Sequence, residues 1–314
     1  MFLQFYDDSM TVYRSLAEIP HNPLSVLTIG TFDGVHRGHQ QVIGALTAKA
    51  KEIGGRSVVI TFDPHPQEVI RRHGTSVDIL TTIEERQEQF QQLGVDAVVV
   101  IPFTQEFSAT PWEEFARQLQ QQIGIAHMIV GHDHAFGKDR KGNAESLRGY
   151  GAEHGFGVTE IGPLVIGDEA ISSTKIRRAL AEGNLQKASE YLGRGYTLSG
   201  TVVRGDGRGR SLGIPTANIS PLNPNKLIPA NGVYCVRAQV GGVWHRGMGN
   251  IGVRPTFTDA TQRTIEVNLF NFAEEIYHQI VKVELCKFVR SEQKFGSVEE
   301  FLQQLERDRA TCQE

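Results

Sequence analysis

The chain has 314 residues, 39% hydrophobic and 22% charged, which excludes disorder, collagen and a small disulfide scaffold and leaves room for about two domains. Its net charge is −4, with 16 basic and 22 acidic side chains in residues 1–180 and 16 and 14 in residues 181–314, so no nucleic-acid partner is expected. No stretch approaches the roughly 18 apolar residues of a membrane helix, so no membrane association is expected. The opening MFLQFYDDSM lacks the basic start of a secretory signal.

Up to about residue 165, short β-branched runs alternate with segments of helical period. Ser25–Phe32, Ser57–Phe62, Ala97–Phe103 and His127–Val130 predict strands. Val42, Ile43, Leu46, Ala50 and Ile53 repeat at helical spacing, as do Ile83, Phe90 and Leu93 behind a threonine cap at Thr81 or Thr82. Trp112, Phe115, Leu119 and Ile123 follow with Pro111 in a first turn. The alternation predicts a doubly wound α/β domain with a parallel sheet. Residues 172–192 predict one or two helices ending at Gly193, after which the period changes. Thr197–Val203, Gly232–Val240, Val243–Met248, Thr264–Phe270 and Ile280–Val289 predict a small antiparallel barrel. A closing helix presents Val298, Phe301, Leu302 and Leu305 on one face. The expected domains are residues 1–185 and 186–314. Three cysteines, Cys235, Cys286 and Cys312, are an odd number without metal-ligand spacing; they read as reduced thiols of a cytoplasmic protein, with no disulfide.

The chemistry-bearing segments begin with Thr28-Ile29-Gly30-Thr31-Phe32-Asp33-Gly34-Val35-His36-Arg37-Gly38-His39. An apolar strand breaks at Asp33-Gly34 and a helix follows, the place where a doubly wound sheet offers unpaired amides and a favourable dipole to anions. His36 and His39 flank Gly38, so both imidazoles can address one phosphate group while the backbone comes close. Two histidines in a surface loop by chance is the plainer alternative. Ser172-Ser173-Thr174-Lys175-Ile176-Arg177 adds hydroxyls at a helix start and cations one turn on, which a simple cap with a solvated basic face also explains.

These segments resemble the nucleotidyltransferase superfamily with its HxGH signature. The nearer resemblance is to the N-terminal module of bacterial bifunctional riboflavin kinase/FAD synthetases, carried by GTFDGVHRGHQ at 30–40, TFDPHP at 61–66, VGHDHAFG at 130–137 and ISSTKIR at 171–177. The resemblance implies a Rossmann-like fold and adenylyl transfer from ATP to FMN. It places His36, His39, Asp33, Gly34 and Gly38 with the nucleotide, and Ser173, Thr174 and Arg177 on its phosphates. His134 stands where many relatives carry an aromatic.

Further on, Gly205, Gly207, Arg208, Gly209 and Arg210 form a glycine-rich basic segment. It lacks the dinucleotide fingerprint, because Arg210 stands where the last glycine belongs, but its amides can still fold over phosphates. A flexible basic hairpin is the alternative. Thr216 and Asn218 are two apart, so in an extended chain their oxygens share a side and suit a hard cation. Glu266 sits in an alternating strand, either as a solvent-facing residue or as a general base. GRGRSLGIPTANI at 207–219, PANGVY at 229–234 and GNIGVRPTF at 249–257 resemble the riboflavin kinase domain. That resemblance implies phosphorylation of riboflavin to FMN, with Thr216 and Asn218 on Mg²⁺ with ATP and Glu266 as the base. Asn268 and His278 depart from the family pattern. The substrates implied for the whole chain are riboflavin, FMN and ATP. Another HxGH adenylyltransferase, or a binding protein without turnover, is the competing expectation.

Overall fold

The computed structural model describes residues 10–70, 77–205, 214–254 and 262–313. The chain forms two compact units, Met1–Ser172 and Ser173–Glu314.

The first unit contains β1 (Thr11–Tyr13), β2 (Ser25–Ile29), α1 (Arg37–Glu52), β3 (Arg56–Asp63), α2 (Pro66–Ile70), α3 (Ile83–Gln92), β4 (Ala97–Pro102), α4 (Gln105–Ser108), α5 (Trp112–Gln122), β5 (His127–Gly131), α6 (Ala144–His154) and β6 (Gly157–Ile161), followed by a hairpin of β7 (Val165–Ile166) and β8 (Glu169–Ala170). The six main strands pair in parallel in the order β1-β4-β3-β2-β5-β6. Their near-continuous apolar runs follow from burial on both faces. Leu27, Ile29, Val58, Ile60, Val99 and Met128 pack with Phe115, Leu119 and Leu147 of α5 and α6. The alternate residues Val26, Val59, Val98 and Ile129 pack with Ile43, Leu46 and Phe90 of α1 and α3. Helices therefore cover both faces, as the sequence period requires. Thr82 caps α3 in a reciprocal box with Glu85. Pro111 occupies the N-cap of α5 rather than its first turn.

The second unit opens with α7 (Ser173–Ala181) and α8 (Leu185–Leu192). Helix α8 stops where Gly193 takes a left-handed φ of 73°. Then β9 (Tyr196–Val203), β10 (Ala217–Pro221), β11 (Gly232–Val240), β12 (Val243–Arg254), β13 (Gln262–Leu269) and β14 (Ile280–Arg290) close an antiparallel barrel in the order β10-β13-β12-β11-β14-β9. Closure pairs every strand edge. Helices α7 and α8 fall with the barrel, and Leu180 of α7 accepts a backbone hydrogen bond from Ala230 (2.9 Å). Among the described residues no helix is long and apolar enough to cross a membrane.

One expectation is corrected at the C-terminal helix, Val298–Gln313. Cys235 of β11 and Cys312 form a disulfide with Cα atoms 5.0 Å apart, leaving Cys286 as the free, exposed thiol. The partners are 77 residues apart, and only the packing of the helix on the barrel brings them together, which cysteine counting does not reveal. The expected face is the one that packs: Leu305 lies against the cluster of Cys235, Met248, Phe270 and Cys312, and the same stripe continues through buried Asp308, while Val298 at the start of the helix is 59% exposed. Arg290 of β14 donates to Asp308 at 2.8 Å through Nη2 and at 3.0 and 3.2 Å through Nε, so the charge buried with Asp308 is paired.

Cross-linking a loop of this length is expected to stabilise the second unit by about 3–5 kcal/mol. Cys312→Ser should lower its denaturant midpoint, and a dithiol reductant should lower the wild type to match while leaving the variant unchanged. Identical midpoints for wild type and variant without reductant would contradict the cross-link.

Candidate active sites

In the first unit, strand succession runs outward from β2 through β3 to β4 on one side and through β5 to β6 on the other. The direction reverses between β2 and β5, where open α/β sheets bind ligands beyond the strand C-termini. The ladder joining β2 to β5 covers only Val26–His127 and Leu27–Met128, whereas β2 stays paired with β3 as far as Ile29–Ile60. The two strands thus leave their ladder before their C-terminal ends.

The segment joining β2 to α1 has a strained backbone. Phe32, Gly34 and Val35 take φ of 48°, 86° and 38°, a region costly for Phe and for β-branched Val. Asp33 holds this shape. Its buried carboxylate accepts from the Leu80 amide (2.9 and 3.1 Å), the Thr81 amide (2.9 Å) and the Thr81 hydroxyl (3.3 Å), while the Gly34 amide donates to the Thr81 hydroxyl (2.8 Å). Asp33 therefore faces the start of α3. His36 then caps α1, its Nδ1 accepting from the His39 amide at 3.3 Å. The two imidazoles stack with centroids 3.6 Å apart and planes 15° from parallel. Gly38 favours this stack: a Cβ there would sit a tight 3.2 Å from the His36 ring. Phe32 meets His39 edge-on at 5.2 Å.

Burial, and secondarily the neighbouring His36, push His39 well below the usual imidazole value, so it is neutral at pH 7. His134, in the turn after β5, is lowered to about 4 by burial, which Asp133 opposes and Arg140 reinforces. Buried polar atoms normally have partners. Among the described residues the exceptions are Thr28 Oγ1, His39 Nδ1, Arg86 Nε, Gln87 Nε2 and His134 Nε2, all in the first unit. Three of them belong to β2, the first turn of α1 and the segment after β5, the elements that meet at the switch point.

The second unit builds a different arrangement. Cross-strand pairing sets Asn218 of β10 and Asn250 of β12 on either side of Glu266 of β13, and directly paired residues share a face. The Thr216 hydroxyl lies 3.5 Å from Glu266 Oε2. Gly205 runs against this row, and a Cβ there would collide with the Asn218 amide. The Asn268 amide donates to Pro215 O at 2.7 Å, fixing the start of the Thr216 segment beside β13. Thr216, Asn218 and Glu266 supply oxygens of the kind that a hard cation takes.

Sequence reasoning grouped His36 with His39, and Thr216 and Asn218 with Glu266; each of these groups is adjacent in the structure. Ser173, Thr174 and Arg177 open α7 and fall in the second compact unit. Gly207, Arg208, Gly209 and Arg210 lie outside the described residues. Asn250 and Arg86 were not singled out. Asn250 lies within the GNIGVRPTF stretch, but only the register of β12 on β13 sets it beside Glu266; a lone arginine in a helical pattern carries no signal of burial.

The histidine environments set a pH dependence. Unfolded histidine titrates near 6.5, and a group with a depressed native value makes the unfolded chain the better proton binder. The first unit should therefore keep its full stability above about pH 6.5 and lose it as pH falls toward the His134 value of about 4. Urea midpoints measured between those limits should fall with acidification, and less steeply for His134→Gln. A slope unchanged by that substitution would contradict the assigned burial.

The FAD synthetase family model matches residues 18–175 and the riboflavin kinase family model matches residues 192–314. Bifunctional riboflavin kinase/FMN adenylyltransferases are 39% identical in Bacillus subtilis (strain 168), covering 91% of this chain and 90% of the relative, and 36% identical in Escherichia coli (strain K12), covering 97% of each. A crystal structure described as a macrolide-efflux protein from Streptococcus pneumoniae superposes with a TM-score of 0.89 at 30% identity, covering 97% of this chain and 98% of that one. Two family matches in chain order, with curated relatives aligned over nine-tenths or more of the chain, place this protein in the bifunctional riboflavin kinase/FMN adenylyltransferase family.

Proposed function

We propose that His36 and His39 bind the phosphates of ATP for FMN adenylylation, and that Glu266, with Thr216 and Asn218 beside it, serves riboflavin phosphorylation. The chain is an enzyme of both activities, with the FAD synthetase module first and the kinase second, and both activities use ATP. The observation that carries the assignment is the stacked imidazole pair at the start of α1, with its buried, unpartnered His39 Nδ1 beside the β2/β5 switch point.

In adenylylation, a phosphate oxygen of FMN attacks the α-phosphorus of ATP, the bond to the β-phosphate oxygen breaks, and pyrophosphate leaves. Charge grows on the oxygens around the reacting phosphorus. Amides at the start of α1 and the two imidazoles donate to it from fixed positions, so no nucleophilic side chain is needed. Neutral His39 suits this role, since a donor already in place requires no prior protonation. Gly34 and Gly38 let the backbone approach, and Asp33 acts by holding the loop. On the strength of the resemblance, Ser173, Thr174 and Arg177 supply hydroxyls and a guanidinium to the phosphates, and in the kinase Gly205, Gly207 and Gly209 offer backbone amides and Arg208 and Arg210 guanidinium groups. We keep the functional boundary near residue 185.

In riboflavin phosphorylation, Glu266 takes the proton of the terminal ribityl hydroxyl as its oxygen bonds to the γ-phosphorus and ADP departs. Thr216 and Asn218 would hold Mg²⁺, which neutralises triphosphate charge when bound. Dependence on ATP supports action in the cytoplasm.

Separate sites give separable losses. His39→Ala should slow FAD formation from FMN by about 10²–10³-fold while sparing FMN formation from riboflavin. Glu266→Gln should slow FMN formation by about 10²–10⁴-fold and leave adenylylation of supplied FMN intact. Chromatographic separation of FMN and FAD over time measures both; parallel loss of the two activities in either variant would contradict the assignment.

A further inference from the structure

Arg86 is a buried charged side chain bonded to the histidine-bearing loop, and neither activity as described above uses it. It lies one turn into α3 and is 3% exposed. Its Nη1 donates to Thr31 O at 2.8 Å, to Thr61 Oγ1 at 2.9 Å and to Phe62 O at 3.1 Å, and its Nη2 lies 3.8 Å from Asp63 Oδ1. The Thr61 hydroxyl itself donates to Thr31 O at 3.2 Å. Thr31 immediately precedes the left-handed Phe32, and Asp63 ends β3. One guanidinium thus joins the segments that leave β2 and β3 at their C-terminal ends.

A second set of bonds ties the same loop to the start of the same helix. Asp33 is held by Leu80 and Thr81 just ahead of α3, and Thr82 caps that helix. The loop carrying His36 and His39 is therefore fastened at Thr31, Asp33 and Gly34 to one rigid mount. Burying an arginine costs several kcal/mol unless charge partners and hydrogen bonds offset it. Burial lowers its pKa, and Asp33 and Asp63 oppose that shift. An alkyl residue would fill the same space without this cost but would leave the Thr31 and Phe62 carbonyls without this donor. The guanidinium reaches the Thr31, Thr61 and Phe62 oxygens from Nη1 and Asp63 from Nη2, a span that the single ammonium nitrogen of lysine does not cover.

We infer that Arg86 is a positioning residue for adenylyl transfer, setting the His36/His39 loop against the end of β3 so that ATP is held in its reactive geometry. The inference rests on the assignment of His36 and His39 to the ATP phosphates. It concerns the rate of the chemical step more than the capture of nucleotide, because the loop's amides and imidazoles remain in the chain when Arg86 is replaced.

The test uses the full-length enzyme with Arg86→Lys and Arg86→Ala. Misplacement of reacting groups by about 1 Å costs on the order of 10²-fold; the FAD-forming kcat should fall about that much in Arg86→Ala and about 10-fold in Arg86→Lys. The KM for ATP should move less than about threefold. A non-hydrolysable ATP analogue should still bind both variants at wild-type stoichiometry, and riboflavin phosphorylation in the same preparations should be unchanged. Either folded variant forming FAD within about twofold of the wild-type rate overturns the inference. So does a rise in KM alone, or a loss of rate that only tracks lost nucleotide-binding equivalents. Should Arg86→Ala not fold, Arg86→Lys decides by the same criteria. Normal FAD formation by His39→Ala would instead remove the underlying reading of the site.

Discussion

The Asp33 carboxylate is the constraint on which the first unit's chemistry depends. Phe32 and Val35 adopt left-handed backbone that neither residue favours, at roughly 1–3 kcal/mol each. Such a turn persists only where the surroundings determine it. Three donors from Leu80 and Thr81 do so, with the Gly34 amide returning a bond to Thr81. The consequence appears at His36, which emerges from the turn as the cap of α1 and stacks on His39. Strain in the loop is thereby converted into two fixed imidazoles at the positive end of a 16-residue helix.

On the proposed assignment, the two units reach triphosphate chemistry by different means. A parallel sheet gathers strand C-termini and helix N-termini on one edge, so backbone amides and neutral donors are the groups it offers to developing charge. An antiparallel barrel has no such edge. It places side chains in rows, and the row Asn218, Glu266, Asn250 provides a carboxylate between two amides. Adenylylation of FMN proceeds from a phosphate that is already ionised. Phosphorylation of riboflavin begins from an alcohol whose proton must go somewhere, and the carboxylate lies in the module that needs it.

Much of this was legible in the sequence because the period of the apolar residues changes from helical to alternating near Gly193. The central strands were legible for a related reason: Val26–Ile29, Val58–Phe62 and Ala97–Ile101 are buried on both faces. The short edge elements left no comparable signal. Thr11–Tyr13 and Gly157–Ile161 are short and only partly buried, so neither shows a continuous apolar run. The histidine pair and the Thr216, Asn218 and Glu266 group were found from motif and spacing. Asn250 and Arg86 were not, since their roles arise from strand register and from a helix start that packs 55 residues away from Thr31. The Cys235–Cys312 bond spans 77 residues and the buried Arg290–Asp308 pair 18, and both depend on how the last helix packs on the barrel, which local sequence pattern does not carry.

Each unit is proposed to hold its own triphosphate. Equilibrium titration of the full chain with a non-hydrolysable ATP analogue, in the presence of Mg²⁺, decides this. Two equivalents bound per chain at saturation, reduced to one by Asn218→Ala, is the predicted result. A single equivalent in the wild type would contradict the account.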